Sequence, residues 1–128
     1  MSHPNEELLR AAYRMFAAGD VPGFLGLCAP DITFRVPGAN ALSGHHDRDA
    51  FLGVLGPAME RTNHTFRETV VHLAANDTDG FVLATQQLER DGQPLRWNAV
   101  HRWSFAGGKL ASFWEFTDDE KTYDRAWR

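Results

Sequence analysis

Apolar positions recur at helical spacing in the first half of the chain and at a spacing of two in the second. Leu8, Leu9, Ala12, Tyr13 and Phe16 fall three and four residues apart after Asn5, which can cap a first turn, and Gly19 ends the run, so the spacing predicts an amphipathic helix. Asp20 caps a second, shorter helix with Pro22 in its first turn, Phe24, Leu25 and Leu27 on its apolar side, and a stop near Pro30. Ile32, Phe34 and Val36 alternate with Asp31, Thr33 and Arg35, the pattern of a strand with one buried face, ended by Pro37 and Gly38. Gly38 to His46 reads as a loop. A third helix begins at Asp47, where Asp47 and Asp49 meet the positive end of the helix dipole, and carries Phe51, Leu52, Leu55 and Met59; Pro57 shortens or kinks it.

Four further strands follow: Thr65–Ala75, Phe81–Glu89, Leu95–Phe105 and Leu110–Thr117. The segments between them, Asn76 to Gly80, Arg90-Asp91-Gly92 and Ala106-Gly107-Gly108, are rich in residues that tolerate positive φ, and loops this short make neighbouring strands antiparallel. Helices first and a meander afterwards predict an α+β fold with helices packed on one face of a curved antiparallel sheet, enclosing one pocket.

At 128 residues the chain reads as a single domain spanning 1–128, and 43% hydrophobic with 23% charged residues excludes the composition of a disordered chain. A net charge of −4 with scattered Lys and Arg leaves no basic face for nucleic acid. The apolar runs are too short for a membrane span and the amino-terminal residues lack the pattern of a signal peptide, so a cytoplasmic protein is expected. Cys28, the one cysteine, reads as a small buried hydrophobe. His45, His46, Asp47 and Asp49 have the composition of metal ligands, but adjacent histidines point apart and no second cluster completes a site; a solvated loop and helix cap, with no metal and no cofactor, is the expectation.

The segments "FAAGD", "APDITFRVPGANALSGHHDRDAF" and "VHRWSFAGGKLASFWEFTDD" in this order resemble the nuclear transport factor 2-like superfamily, and within it the SnoaL-like polyketide cyclases and their relatives. The resemblance covers about the whole chain and implies a cone-shaped fold. That fold hosts isomerases, cyclases, dehydratases, epoxide hydrolases and proteins without chemistry, so the reaction has to be argued from the pocket.

Period two sorts the strands. Trp97, Ala99, His101, Trp103 and Phe105 share one face, which is apolar and therefore concave, with His101 its only ionisable group. Matching across the turn at Gly92 sends Ala84, Gln86 and Leu88 inward. A three-residue loop at Gly107-Gly108 places Phe113 or Glu115 opposite His101, whereas a strict two-residue loop puts Glu115 outside; the first is preferred because the resemblance also sets Glu115 inward. Tyr13 and Asn40 reach for the mouth. Phe66, Glu68, Val70 and His72 are read as the outer or interface face of their strand.

These positions make His101 the expected acid or base, with Glu115 fixing its tautomer, and Gln86, Trp97 and Trp103 orienting a substrate. A structural histidine stacked between the two tryptophans is the alternative. By the resemblance, His101 stands where ketosteroid isomerases hold the protonated aspartate of their oxyanion hole, while Val36 replaces their base and Ala12 their tyrosine, with Tyr13 about 100° of helix away. The Arg-x-Asp pair of limonene-epoxide hydrolases is replaced by Gln86-Gln87-Leu88. Asp118 matches the last aspartate of those enzymes and either lines the pocket or caps a terminal helix carrying Tyr123, Ala126 and Trp127.

The expected function is cofactor-independent isomerisation, cyclisation or dehydration of a small apolar carbonyl compound, using His101 and Glu115 with Tyr13, Asn40, Gln86, Leu88, Trp97, Trp103, Phe113 and Asp118 around the substrate. A non-catalytic binding domain and a structural dimerisation module are the alternatives. A homodimer through the convex sheet face is expected, because Trp114 and Phe116, read there with Leu110 and Ser112, form an apolar patch in a monomer.

Overall fold

The two periods fold in the order in which they are read. A computed structural model describes residues 2–128 and contains α1 (Pro4–Ala17), α2 (Val21–Gly26), β1 (Cys28–Val36), β2 (Gly44–Asp47), α3 (Arg48–Arg61), β3 (Arg67–Ala75), β4 (Asp79–Arg90), β5 (Gln93–Ala106), β6 (Lys109–Thr117) and α4 (Glu120–Trp127). The six strands form one mixed sheet in the order β2-β1-β6-β5-β4-β3. The meander β3 to β6 is antiparallel, β1 joins β6 in parallel, and β2 pairs antiparallel with β1 at the edge.

Local chemistry explains the differences from the sequence reading. His3, not Asn5, caps α1: its ring accepts the Asn5 backbone N–H while Glu6 reaches back to the His3 amide, a reciprocal box. Gly44 to Asp47 is an edge strand and not a loop, held by backbone pairing that its polar side chains do not announce. Pro57 lies within α3 without ending it; Gly53, whose carbonyl loses its partner, is exposed, so water can take the place of the missing N–H.

Two irregularities decide which side chains face inward. Gly107 and Gly108, at φ 58° and 76°, make a strict two-residue turn with Ala106 opposite Lys109. That register alone would send Glu115 outward. A bulge at Ala111 shifts it by one, so that Ser104 faces Ser112 and His101 faces Glu115. Leu110, before the bulge and paired with inward Phe105, is fully buried in the core, and the bulge separates its face from that of Ser112, Trp114 and Phe116, correcting its assignment to the convex face. On β3 a second bulge falls between Val70 and His72. His72 points outward as read, but Phe66, Glu68 and Val70 point inward, correcting their placement on the outer face.

Buried apolar residues form two clusters. One joins α3 and α4 to Val36, Leu88, Leu95 and Trp97; the other joins α1 to Ile32, Phe34, Val82, Trp103 and Leu110; Phe51 touches both. A cavity of about 90 Å³ lies between them, walled by residues of each.

Candidate active site

Consecutive inward positions of β4, β5 and β6 supply the polar wall of this cavity, and α1 and α4 close it from either side. His101 on β5 lies with its Nε2 2.5 Å from Glu115 Oε2 on β6, and its Nδ1 2.5 Å from the Tyr13 hydroxyl on α1. Trp103 Nε1 donates to the same hydroxyl at 3.0 Å. Tyr123 on α4 donates its hydroxyl to Glu115 Oε1. Gln86 Nε2 donates to Glu115 Oε2 at 3.2 Å and to Glu68 Oε2 at 2.5 Å, while Gln86 Oε1 accepts from Trp97 Nε1 at 2.7 Å. Phe113 packs on the imidazole at a centroid distance of 4.8 Å.

The protonation states follow from these partners. Burial opposes a charge on His101, but the Glu115 carboxylate against it outweighs burial and raises its pKa. Burial likewise acts to raise Glu115, and the His101 charge with the donors around it holds the carboxyl below its usual value. Both shifts favour the imidazolium–carboxylate form of the pair. Glu68 goes the other way: burial raises its pKa more than His101, 3.9 Å away, and Gln86 lower it. Burial keeps the Tyr13 phenol protonated, well above its ordinary range.

Trp103 Nε1 can only donate, and in an imidazolium Nδ1 also donates, so both lone pairs of the Tyr13 oxygen are engaged. The O–H of Tyr13 is then free for a molecule in the cavity. The remaining lining is apolar: Phe24, Val36, Leu42, Phe51 and Met59 among others.

Of the residues singled out from the sequence, Tyr13, Gln86, His101, Trp103, Phe113 and Glu115 line the cavity together. Four others do not. Leu88 is core between α4 and the sheet. Trp97 stands behind the lining, donating to the Gln86 amide and packing edge-on against Tyr123 at 5.6 Å. Asn40 is tied to Asp124 at 2.8 Å and organises the loop after β1. Asp118 accepts from the backbone and side-chain amides of Asn98, and the cap of α4 is Asp119. Glu68 and Tyr123 are the polar site residues the sequence reading did not assign. Pairing of Glu68 with Gln86 across β3 and β4 is the signal for the first; Tyr123, on a helix after the sheet, has none. Asp47, read as a helix cap, accepts from the Ala50 amide at 2.8 Å.

No helix among the described residues is long and apolar enough to cross a membrane. In fold the chain is similar to Bal32a from a soil-derived mobile gene cassette (TM-score 0.90, 24% identity, 98% of this chain and 97% of that one). It is also similar to TerC co-crystallised with polyporic acid (TM-score 0.81, 20% identity, 97% and 98%). An uncharacterized protein of Mycobacterium tuberculosis is 30% identical over 124 residues, covering 94% of each chain. The family model of the SnoaL-like domain matches residues 9–113, and the chain belongs to that family.

Proposed function

We propose that the chain is a cofactor-independent acid–base enzyme that isomerises, cyclises or dehydrates a small apolar carbonyl compound. The Tyr13 hydroxyl, set in a largely apolar cavity between His101 Nδ1 and Trp103 Nε1, carries this reading: with His101 as an imidazolium, its O–H is free for a substrate. A substrate carbonyl oxygen accepts that proton in a hydrogen bond. Glu68, a carboxylate made more basic by burial, takes a proton from the neighbouring carbon; the C–H electron pair becomes the new C=C bond and the carbonyl π pair moves onto the oxygen. His101 stabilises the resulting enolate through Tyr13, and Glu115, Tyr123 and Gln86 hold the imidazolium in place. The enolate then has three outcomes: reprotonation at another carbon, attack on a second carbonyl, or expulsion of a β-hydroxyl as water with the proton held by Glu68.

Deuterium incorporation from D2O tests this without the natural substrate. Wild-type protein accelerates α-proton exchange of a bound apolar ketone such as 2-tetralone, and Tyr13→Phe or Glu68→Gln lowers the rate by roughly two orders of magnitude. Ketones that quench tryptophan fluorescence on binding yet exchange at the solvent rate would overturn the enzymatic reading. They would favour a non-catalytic binding domain.

We also infer that two copies pair through the convex face. Phe81, Val100 and Phe116 are 53%, 37% and 44% exposed there. Trp114 lies beside Phe116 at 4.6 Å and beneath the Arg35 guanidinium at 4.0 Å, so that with Val100, paired to Phe116, an apolar patch lies on β5 and β6.

A further inference from the structure

The cavity opens at Glu68. Tyr13, Phe16, Leu55, Met59, Phe66 and Glu68 line both the inner cavity and a wider groove between α1, α3 and β3, so these six side chains form a neck. The groove carries a positive excess: Arg10, Arg14 and Arg67 stand there with His64, against Glu60 and Glu68 as its carboxylates, in a chain of net charge −4.

Little within the fold neutralises these guanidiniums. Arg10 and Arg14, four residues apart on α1, share one face beside Tyr13. Arg10 approaches Glu7 only at 3.9 Å, and among the described residues no salt bridge includes Arg14 or Arg67. One terminal nitrogen of Arg67 donates to the carbonyls of His64 and Phe66 at 3.0 and 2.7 Å. That contact pins the side chain over the turn where Asn63 and His64 take positive φ, and leaves its other donors free.

A neutral substrate needs none of this arrangement, and cations gathered at one mouth repel one another. A carboxylate there relieves the repulsion and matches the planar fork of a guanidinium. We infer that the substrate of the proposed reaction is an amphipathic keto acid whose apolar carbonyl end fills the cavity while its anionic group stays at Arg10, Arg14 and Arg67. The inference rests on the proposed function only for the chemistry at the carbonyl end.

A matched pair of probes tests it: 3-benzoylpropanoic acid and its primary amide, which differ in charge and little in shape. Titrated at low ionic strength with tryptophan fluorescence as readout, the acid binds at least tenfold more tightly than the amide. The ratio falls below threefold in Arg14→Gln/Arg67→Gln, and it shrinks as salt is added. Because the readout is a ratio, general weakening of the cavity cancels. Equal affinities, a ratio that survives in the double variant, or binding of neither probe would each overturn the inference. Deuterium exchange on the same samples separates the two readings: preferential binding of an acid that never exchanges sinks the enzymatic proposal and leaves the anion site standing. Equal binding with exchange of both probes does the reverse.

Discussion

Trp97 Nε1 lies 2.7 Å from Gln86 Oε1, and this one contact orients the amide on which both glutamates depend. An indole N–H can only donate, so the amide oxygen must face Trp97 and the NH2 must face Glu68 and Glu115. Trp97→Phe removes that constraint. A freed amide can turn its oxygen toward the carboxylates, which raises their pKa values and costs about 1–3 kcal/mol for the lost partner. The expected result is an α-proton exchange rate about tenfold lower, with the acidic limb of its pH profile moved upward. An unchanged profile would show that Trp97 contributes packing alone.

The concave face of β5 was legible because Trp97, Ala99, His101 and Trp103 alternate without interruption across a two-residue turn. The bulged strands were not. Period two presumes one residue against one, and a bulge breaks that count without leaving a distinctive residue at the break: Val71 and Ala111 are ordinary strand residues. A three-residue loop would set Glu115 inward; the turn has two residues, and the bulge at Ala111 produces the same shift of one. Alternation carried unbroken through Val71 from His72 would set Glu68 outward, and the bulge on β3 reverses it. Caps are comparably subtle: Asp118 and Asp119 are adjacent and chemically alike, and only backbone geometry decides which of them holds α4.

Glu68 should weaken the fold it serves. Its carboxyl is raised above 4.5 by burial, so between that value and its folded pKa the folded state binds more protons than the unfolded chain, and stability falls as pH rises. Glu68→Gln abolishes the titration and can still accept from Gln86. Thermal unfolding of the variant should match wild type near pH 4 and lie about 3 °C or more above it at pH 8. A variant less stable than wild type at both pH values would mean that the charge is a structural asset and not a buried base.

Pairing through the convex face predicts a mass by light scattering of twice the 14.4 kDa chain at micromolar concentration. Phe116→Lys places a charge in the apolar patch and should yield a monomer, with the far-ultraviolet circular dichroism retained because Phe116 lies outside both core clusters. A wild-type mass of one chain, or a variant that still pairs, would remove this surface from consideration.

The ion pair between His101 and Glu115 can be measured as a coupling energy. Removing either partner alone leaves a buried charge with incomplete compensation, which is more costly than removing both, so His101→Gln, Glu115→Gln and the double variant should show a coupling of about 2 kcal/mol. The pH dependence carries the sharper information. The raised pKa of His101 gives stability that is complete below 6.5 and is lost as pH rises through the folded value. The lowered pKa of Glu115 gives stability that is complete above 4.5 and is lost as pH falls through its folded value. The coupling should therefore be greatest between pH 4.5 and 6.5 and decline on both sides, more slowly than two ordinary groups would allow. Urea unfolding of the four proteins across that range provides the test. A coupling below about 0.5 kcal/mol at every pH would mean that His101 is neutral, that its Nδ1 accepts from Tyr13, and that the phenol proton is not available to a substrate.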